Sequence, residues 1–314
     1  MTSLTVPDYV PSPAEDCEQL NLAFAGWGTN EDLIVNILAH RNASQRRAIR
    51  DCYPKIYGND LLKDLDKELT RDFEKIVLLW TLDPSERDAV LAEGVLRKWH
   101  SKDSVLIEIA CTRSSKDLHL VRQAYHACFK RSLEEDVAYH VKGEFRKLLL
   151  PLVSAYRYEG PEVDMTLAKL EAKILHDKIS DKAYEDDELI RILTTRSKIQ
   201  LGATFDHYNN EFETAITKDL KCDSDNHFLS ALRNIVLGIS SPTMYFAEVL
   251  GDALNRMGTD EEALTRIVVT RVEVDMEAIK EEYHTKNGAP LYKAIKNDTR
   301  GHYEDMLLAL IGHE

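Results

Sequence analysis

Apolar positions recur along the chain at helical spacing, and the same pattern returns four times. Four segments end on an arginine: EDLIVNILAHR at Arg41, DSVLIEIACTR at Arg113, DDELIRILTTR at Arg196 and EEALTRIVVTR at Arg271. Seven positions before each arginine stand Ile34, Leu106, Leu189 and Leu264. Four before stand Ile37, Ile109, Ile192 and Ile267, and three before stand Leu38, Ala110, Leu193 and Val268. All are apolar, at intervals that place them on one face of a helix. Ten before lie Glu31, Asp103, Asp186 and Glu261, acidic residues near a helix start, where a carboxylate complements the helix dipole. Thirty-two after lie Phe73, Phe145, Phe228 and Tyr303, all aromatic and each at or in an apolar run. Agreement at so many offsets establishes a fourfold internal repeat.

No segment shows convincing period-two alternation, so the expected fold class is all-α, with several amphipathic helices per repeat. Ser12-Pro13-Ala14-Glu15 predicts the first helix start: a serine cap, proline at the first helical position and glutamate three after the cap. The repeats are placed at 14–80, 86–153, 166–238 and 243–312. The arginines are 72, 83 and 75 residues apart. The excess in the second gap falls near SAYRYEGPEVD, Ala155 to Asp164, whose Gly-Pro pair reads as a linker between two halves of two repeats each.

Composition supports this picture. In 314 residues there are only 13 glycines and 9 prolines, too few for a turn-rich all-β fold. No apolar run approaches the ~18 residues of a membrane span. The opening MTSLTVPDYVPSP has no basic-then-apolar order, Thr2 excludes N-myristoylation, and the closing IGHE is no prenylation site. Five scattered cysteines without a CxxC suggest neither a disulfide framework nor a zinc site, and a cytoplasmic setting is expected. The net charge of −14 argues against nucleic acid as a partner. It argues equally against direct binding to acidic membranes, unless a cation bridges the two.

The loops before the repeated helices differ in an informative way. The first reads Gly26-Trp27-Gly28-Thr29 and the fourth Arg256-Met257-Gly258-Thr259. The second reads Lys98-Trp99-His100-Ser101 and the third Asp181-Lys182-Ala183-Tyr184. Glycine lets a tight loop turn its carbonyls outward. Thr29 and Thr259 are expected to cap the next helices, with Asp32 and Glu262 completing capping boxes. Forty residues after the third loop position, Gly28 and Gly258, stand Glu68 and Asp298, where the second repeat has His140 and the third Asp223. Loop carbonyls plus one carboxylate make a hard-cation site, and Ca2+ accepts six to eight oxygens in flexible geometry. So few protein charges leave positions for water or a phosphate. The simpler reading of GxGT is a helix-start turn, and the matched carboxylate in the other Gly-Thr copy weighs against it.

The fourfold repeat, the loop GWGTNE, the carboxylate forty residues on and the run KNDTRGHY resemble the annexin family over essentially the whole chain. Degenerate second and third loops resemble its plant branch. The resemblance implies five helices per repeat and four repeats packed as a slightly curved disc. It implies calcium sites that bridge to acidic phospholipid membranes. Carried over by position, the first site takes carbonyls of Phe24, Gly26 and Gly28 with the Glu68 carboxylate. The fourth takes carbonyls of Leu254, Arg256 and Gly258 with Asp298, and a weaker neighbouring site involves Thr29 and Glu31. Arg256 departs from the glycine of the first loop; its carbonyl can still coordinate, while its side chain restricts the loop. Trp27, Met257 and Arg256 are the expected membrane contacts. Asp223 follows a loop without glycine, so no good site is expected in the third repeat.

The resemblance also brings readings of other classes: a haem peroxidase with His40 as iron ligand, a nucleotidase, an F-actin linker, a cation conductor and an oligomer on membranes. His40 sits at a helix end, where a structural role is simpler. No GxxxxGK[ST] loop occurs, and Asp298-Thr299-Arg300-Gly301 is a weak DxxG match better read through calcium. In the actin-type tripeptide Ile190-Arg191-Ile192, Ile192 falls on the apolar stripe, so a core helix is the simpler reading. Without an apolar span the chain is no ordinary integral channel. The expected function is therefore non-enzymatic: calcium-dependent, peripheral binding to acidic membranes from the cytoplasm.

Overall fold

The computed structural model describes residues 1–25, 28–98, 104–154, 156–221, 226–255 and 258–312. Among them there are twenty helices and no strand. The first repeat carries α1 (Pro13–Phe24), α2 (Glu31–Leu38), α3 (Ala43–Tyr57), α4 (Leu61–Glu68) and α5 (Arg71–Thr81). The second carries α6 (Pro84–Leu96), α7 (Ser104–Thr112), α8 (Ser115–Phe129), α9 (Leu133–His140) and α10 (Gly143–Ser154). The third carries α11 (Met165–Ser180), α12 (Asp187–Thr195), α13 (Lys198–Phe212), α14 (Ile216–Asp219) and α15 (His227–Ser240). The fourth carries α16 (Pro242–Leu254), α17 (Glu261–Arg271), α18 (Met276–Asn287), α19 (Leu291–Asp298) and α20 (Gly301–Ile311). No helix among the described residues is long and apolar enough to cross a membrane.

All the residues of the repeated apolar stripe are buried, the most exposed at 6 %. They face the core because the 3.6-residue turn stacks them on one side of the second helix of each repeat. The predicted start of α1 is present in full: the Glu15 amide donates to Ser12 Oγ, and the Ser12 amide donates to Glu15 Oε2 at 2.7 Å.

The chain divides into two compact units, Met1–Arg87 with Phe246–Glu314, and Asp88–Tyr245. The expected division at Ala155 to Asp164 is thus replaced by a pairing of repeats one with four and two with three. Within each unit the second helix of one repeat packs on the fifth of the other: α2 on α20, α17 on α5, α7 on α15 and α12 on α10. The stretch read as a linker is exposed over most of its described residues but anchored to its unit at Arg157 and Asp164. Arg157 is 4 % exposed and donates to the carbonyls of Leu193 and Arg196, while Ser115 Oγ donates to the Arg157 carbonyl. The N-terminal segment does similar work in the other unit. The Ser3 amide donates to Val272 O, Ser3 Oγ to Leu310 O, and His40 Nδ1 lies 3.0 Å from Thr5 O. His40 thus ties down the N-terminal segment by its Nδ1.

The repeated arginines each grip a carboxylate with two nitrogens. Arg41 holds Asp16 at 2.7 Å through both, Arg113 holds Asp88 and Arg196 holds Glu171, always 25 residues upstream. The corresponding residue for Arg271 is Phe246. The guanidinium there lies 4.6 Å from the ring centroid and takes its carboxylate locally, from Asp275. A second repeated pair joins Tyr53 to Asp64, Tyr125 to Asp136 and Tyr208 to Asp219 by phenol-to-carboxylate hydrogen bonds. Burial pushes the Cys17 thiol up to about 12 and the Cys111 thiol up to about 11, so both stay protonated packing residues.

The third helix of every repeat ends on a left-handed residue: Gly58, Lys130, Glu213 and Gly288. A side chain in that conformation costs about 1 kcal/mol or more. Glycine pays no such cost, though it loses more entropy on folding. Lys130→Gly and Glu213→Gly are each expected to stabilise the fold by about 0.5 kcal/mol. A thermal midpoint that falls in both variants would show that side-chain packing at these caps outweighs the backbone term.

Candidate functional site

Two loops and two distant helix ends build the site, in the unit that pairs repeats one and four. The first loop leaves the C-terminus of α1 and enters α2. It is closed at its base by the Asn30 amide, which donates to Ala23 O at 2.9 Å. The fourth loop leaves α16 and enters α17, closed in the same way by the Asp260 amide on Ala253 O at 3.0 Å. Gly28 and Gly258 have φ of +94° and +92°, a backbone conformation side chains rarely adopt. A Cβ built at either meets nothing within 4 Å, so glycine is required by backbone shape and the space beside it is open.

The helix caps differ from expectation. Asn30 and Asp260, one residue later than predicted, accept the amides of Leu33 and Ala263. Thr29 and Thr259 are thereby left for a different task, and Asp32 and Glu262 complete no capping box. Thr29 Oγ1 donates to the Glu68 carboxylate, 3.2 Å from Oε2, and also lies 3.4 Å from the Glu68 carbonyl. Thr259 Oγ1 donates to the Asp298 carbonyl at 3.3 Å. The hydroxyls therefore join each glycine loop to the residue forty positions after its glycine. Asp298, one methylene shorter than Glu68, is reached only at its main chain.

Glu68 and Asp298 are the last residues of α4 and α19. Their side chains differ in setting: Glu68 is half-buried, with Lys67 Nζ at 3.5 Å, and Asp298 is exposed. Both line one cleft of about 440 Å3, with Thr70, Arg71, Thr299 and Arg300. Burial, with a lesser contribution from the Asp298 carboxylate, pushes the Tyr283 phenol up, as a buried hydroxyl near a carboxylate resists ionising. Phe24 and Leu254 are the last residues of α1 and α16, where carbonyls run out of intrahelical donors. Glu31 opens α2, its Oε2 4.0 Å from His302 Nε2. Gly26, Trp27, Arg256, Met257 and Asp223 lie outside the described residues.

The other two repeats are built differently. His140 ends α9 exposed, and its loop residues 99–103 lie outside the described residues. In the third repeat Lys182 takes the left-handed turn, and Lys178 Nζ pairs with Asp186 at 2.8 Å at the head of α12. Protein charge thus occupies the loop base there. Ile190 and Ile192 are 5 % and 0 % exposed, and Arg191 pairs with Glu171 and Glu188. The tripeptide weighed for actin is core helix. Asp298 to Gly301 is the connection between α19 and α20.

The chemistry on offer is oxygen: backbone carbonyls, a hydroxyl and a carboxylate around an open glycine corner. That donor set fits a hard divalent cation. What sequence reasoning missed is the threonine's partner. The signal was available, since threonine follows the glycine in both loops that carry the distant carboxylate.

A sequence-family model described as Annexin matches residues 15–80, 87–152, 170–235 and 245–310. Annexin D2 of Arabidopsis thaliana is 59 % identical over 100 % of this chain and 99 % of its own. The solved structure of annexin III superposes with a TM-score of 0.91 at 36 % identity, over 100 % of this chain and 97 % of the other. Calcium-bound annexin (Sm)1 superposes with a TM-score of 0.84 at 27 % identity, over 100 % and 93 %. A fourfold helical repeat with paired glycine loops, matched along its whole length by such relatives, places the chain in the annexin family, among the annexins of plant type.

Proposed function

We propose that this chain binds acidic phospholipid membranes through calcium held mainly at the first loop. The bond from Thr29 to Glu68, which joins the glycine corner to a carboxylate 39 residues away, carries the reading. The first site would use carbonyls of Phe24, Gly26 and Gly28 with the Glu68 carboxylate. The fourth would use carbonyls of Leu254, Arg256 and Gly258 with Asp298. Thr29 and Glu31 would serve a weaker neighbouring position. Support also comes from the structure of a relative solved with calcium bound.

Bound calcium supplies positive charge and coordination positions that a lipid phosphate can fill. The chain's own residues do the rest. Glu68 gives the one full negative charge, and its carboxylate is oriented by Thr29. The glycine corner leaves space for a headgroup, and Trp27, Met257 and Arg256 lie at the loop tips in sequence. A chain of net charge −14 is otherwise repelled by an anionic bilayer.

The first measurement is co-sedimentation of the full chain with phosphatidylserine vesicles, in calcium and in chelator. Pelleting in calcium and its loss in chelator are expected. Equal pelleting in both would mean that the glycine loops are structural turns and that direct protein–lipid contacts carry binding.

A further inference from the structure

Where α2 meets α20, a second constellation has different chemistry. His302 lies in the first turn of α20, Asp305 follows on the same face three residues later, and Asp32 comes from the first turn of α2. His302 Nδ1 is 3.3 Å from Asp32 Oδ1 and 3.6 Å from Asp305 Oδ2, and the three ligand atoms lie within 4.8 Å of one another. Nδ1 is itself buried and makes no hydrogen bond among the described residues, although the ring as a whole is partly exposed. On the far side of the ring, Nε2 faces Glu31 Oε2 at 4.0 Å, and the ring rests 5.8 Å from Phe73 between centroids.

We propose that Asp32, His302 and Asp305 form a binding site for zinc or a similar divalent transition ion. A tetrahedral ion with bonds of about 2.0 Å needs ligand atoms roughly 3.3 Å apart. The two distances from Nδ1 are close to that value. An imidazole nitrogen among the ligands selects zinc-like ions over calcium, which prefers an all-oxygen shell. Glu31 places a third carboxylate on the far side of the ring, the kind of outer partner that a metal-bound imidazole uses. Nδ1 and the two carboxylate oxygens converge on one point, where a single cation would contact all three. Three protein ligands leave a fourth position for water. The ion would join repeats one and four inside their shared unit, through ligands other than Glu68 and Asp298, although His302 lines the same cleft as those two residues.

The test is calorimetric titration of the full chain with Zn2+ alone, in calcium-free buffer, alongside thermal unfolding with and without Zn2+. Wild type should show a saturable one-to-one step and a raised midpoint, because a ligand that binds only the folded state stabilises it. His302→Ala and Asp305→Asn should each lose the step and the midpoint shift. Both positions are partly exposed, and metal-free midpoints verify that the variants fold. Zn2+ binding that is absent from wild type, or unchanged in both variants, would overturn the site. In that second case the zinc would be held by other side chains, such as the exposed Cys128.

Discussion

Glu68→Gln is expected to need roughly tenfold more calcium for half-maximal vesicle binding, because ligand charge sets affinity in oxygen sites. The change keeps the length of the side chain and its capacity to accept the Thr29 hydroxyl. Only the charge is lost, so the loop geometry should survive and the unfolding midpoint should stay near wild type. His140→Gln serves as the comparison. It sits at the equivalent helix end of the second repeat and is exposed, and its imidazole is a poor calcium ligand. Calcium titrations of vesicle pelleting for the two variants decide the matter: an equal shift in both removes Glu68 from the site. Asp298→Asn should fall between them. Thr259 reaches only the main chain of Asp298, so that carboxylate is less firmly placed than the carboxylate of Glu68.

Asp16→Ala should cost about 3–5 kcal/mol of stability, the usual result of stranding one partner of a buried ion pair. Arg41 and Asp16 have side-chain exposures of 5 % and 4 %, and both guanidinium bonds are 2.7 Å. Without Asp16 the guanidinium keeps, among the described residues, its bond to the His40 carbonyl, far from enough to replace its lost hydration. Asp275→Ala should cost less. Asp275 is 21 % exposed, and Arg271 retains the face of Phe246. Chemical unfolding of the two variants compares them directly, and an equal or smaller loss for Asp16→Ala would show that water reaches Arg41 freely. The double change Asp16→Ala with Arg41→Met should recover part of the loss, since it leaves no charge without a partner.

Residue spacing made the repeat, the all-α class and the buried stripe legible, because a helix converts sequence interval into facing direction. The partners of the repeated arginines were equally periodic but are found only by asking what a buried guanidinium needs. Asp16, Asp88 and Glu171 share one offset, and Phe246 breaks it. The caps were misread for a physical reason. Thr29 and Asn30 are both competent caps, and sequence does not show that the threonine hydroxyl is drawn to Glu68 instead. The pairing of repeats was misread because a Gly-Pro pair marks a turn in the chain, while compact units follow which helix faces meet. Arg157, buried inside the supposed linker, was the residue that contradicted it.

The pairing of the first repeat with the last has a consequence for synthesis. The ribosome delivers Met1–Arg87 well before the residues that complete its unit, Phe246–Glu314, with the whole of Asp88–Tyr245 between them. The stretch Asp88–Tyr245 forms an uninterrupted unit and can close while translation continues. The apolar faces of α2 and α5 must meanwhile wait for α20 and α17. Through that interval the nascent chain carries unpaired core surface, so chaperone dependence falls on the first repeat. A premature stop in the fourth repeat would strand the first, more than a hundred residues upstream.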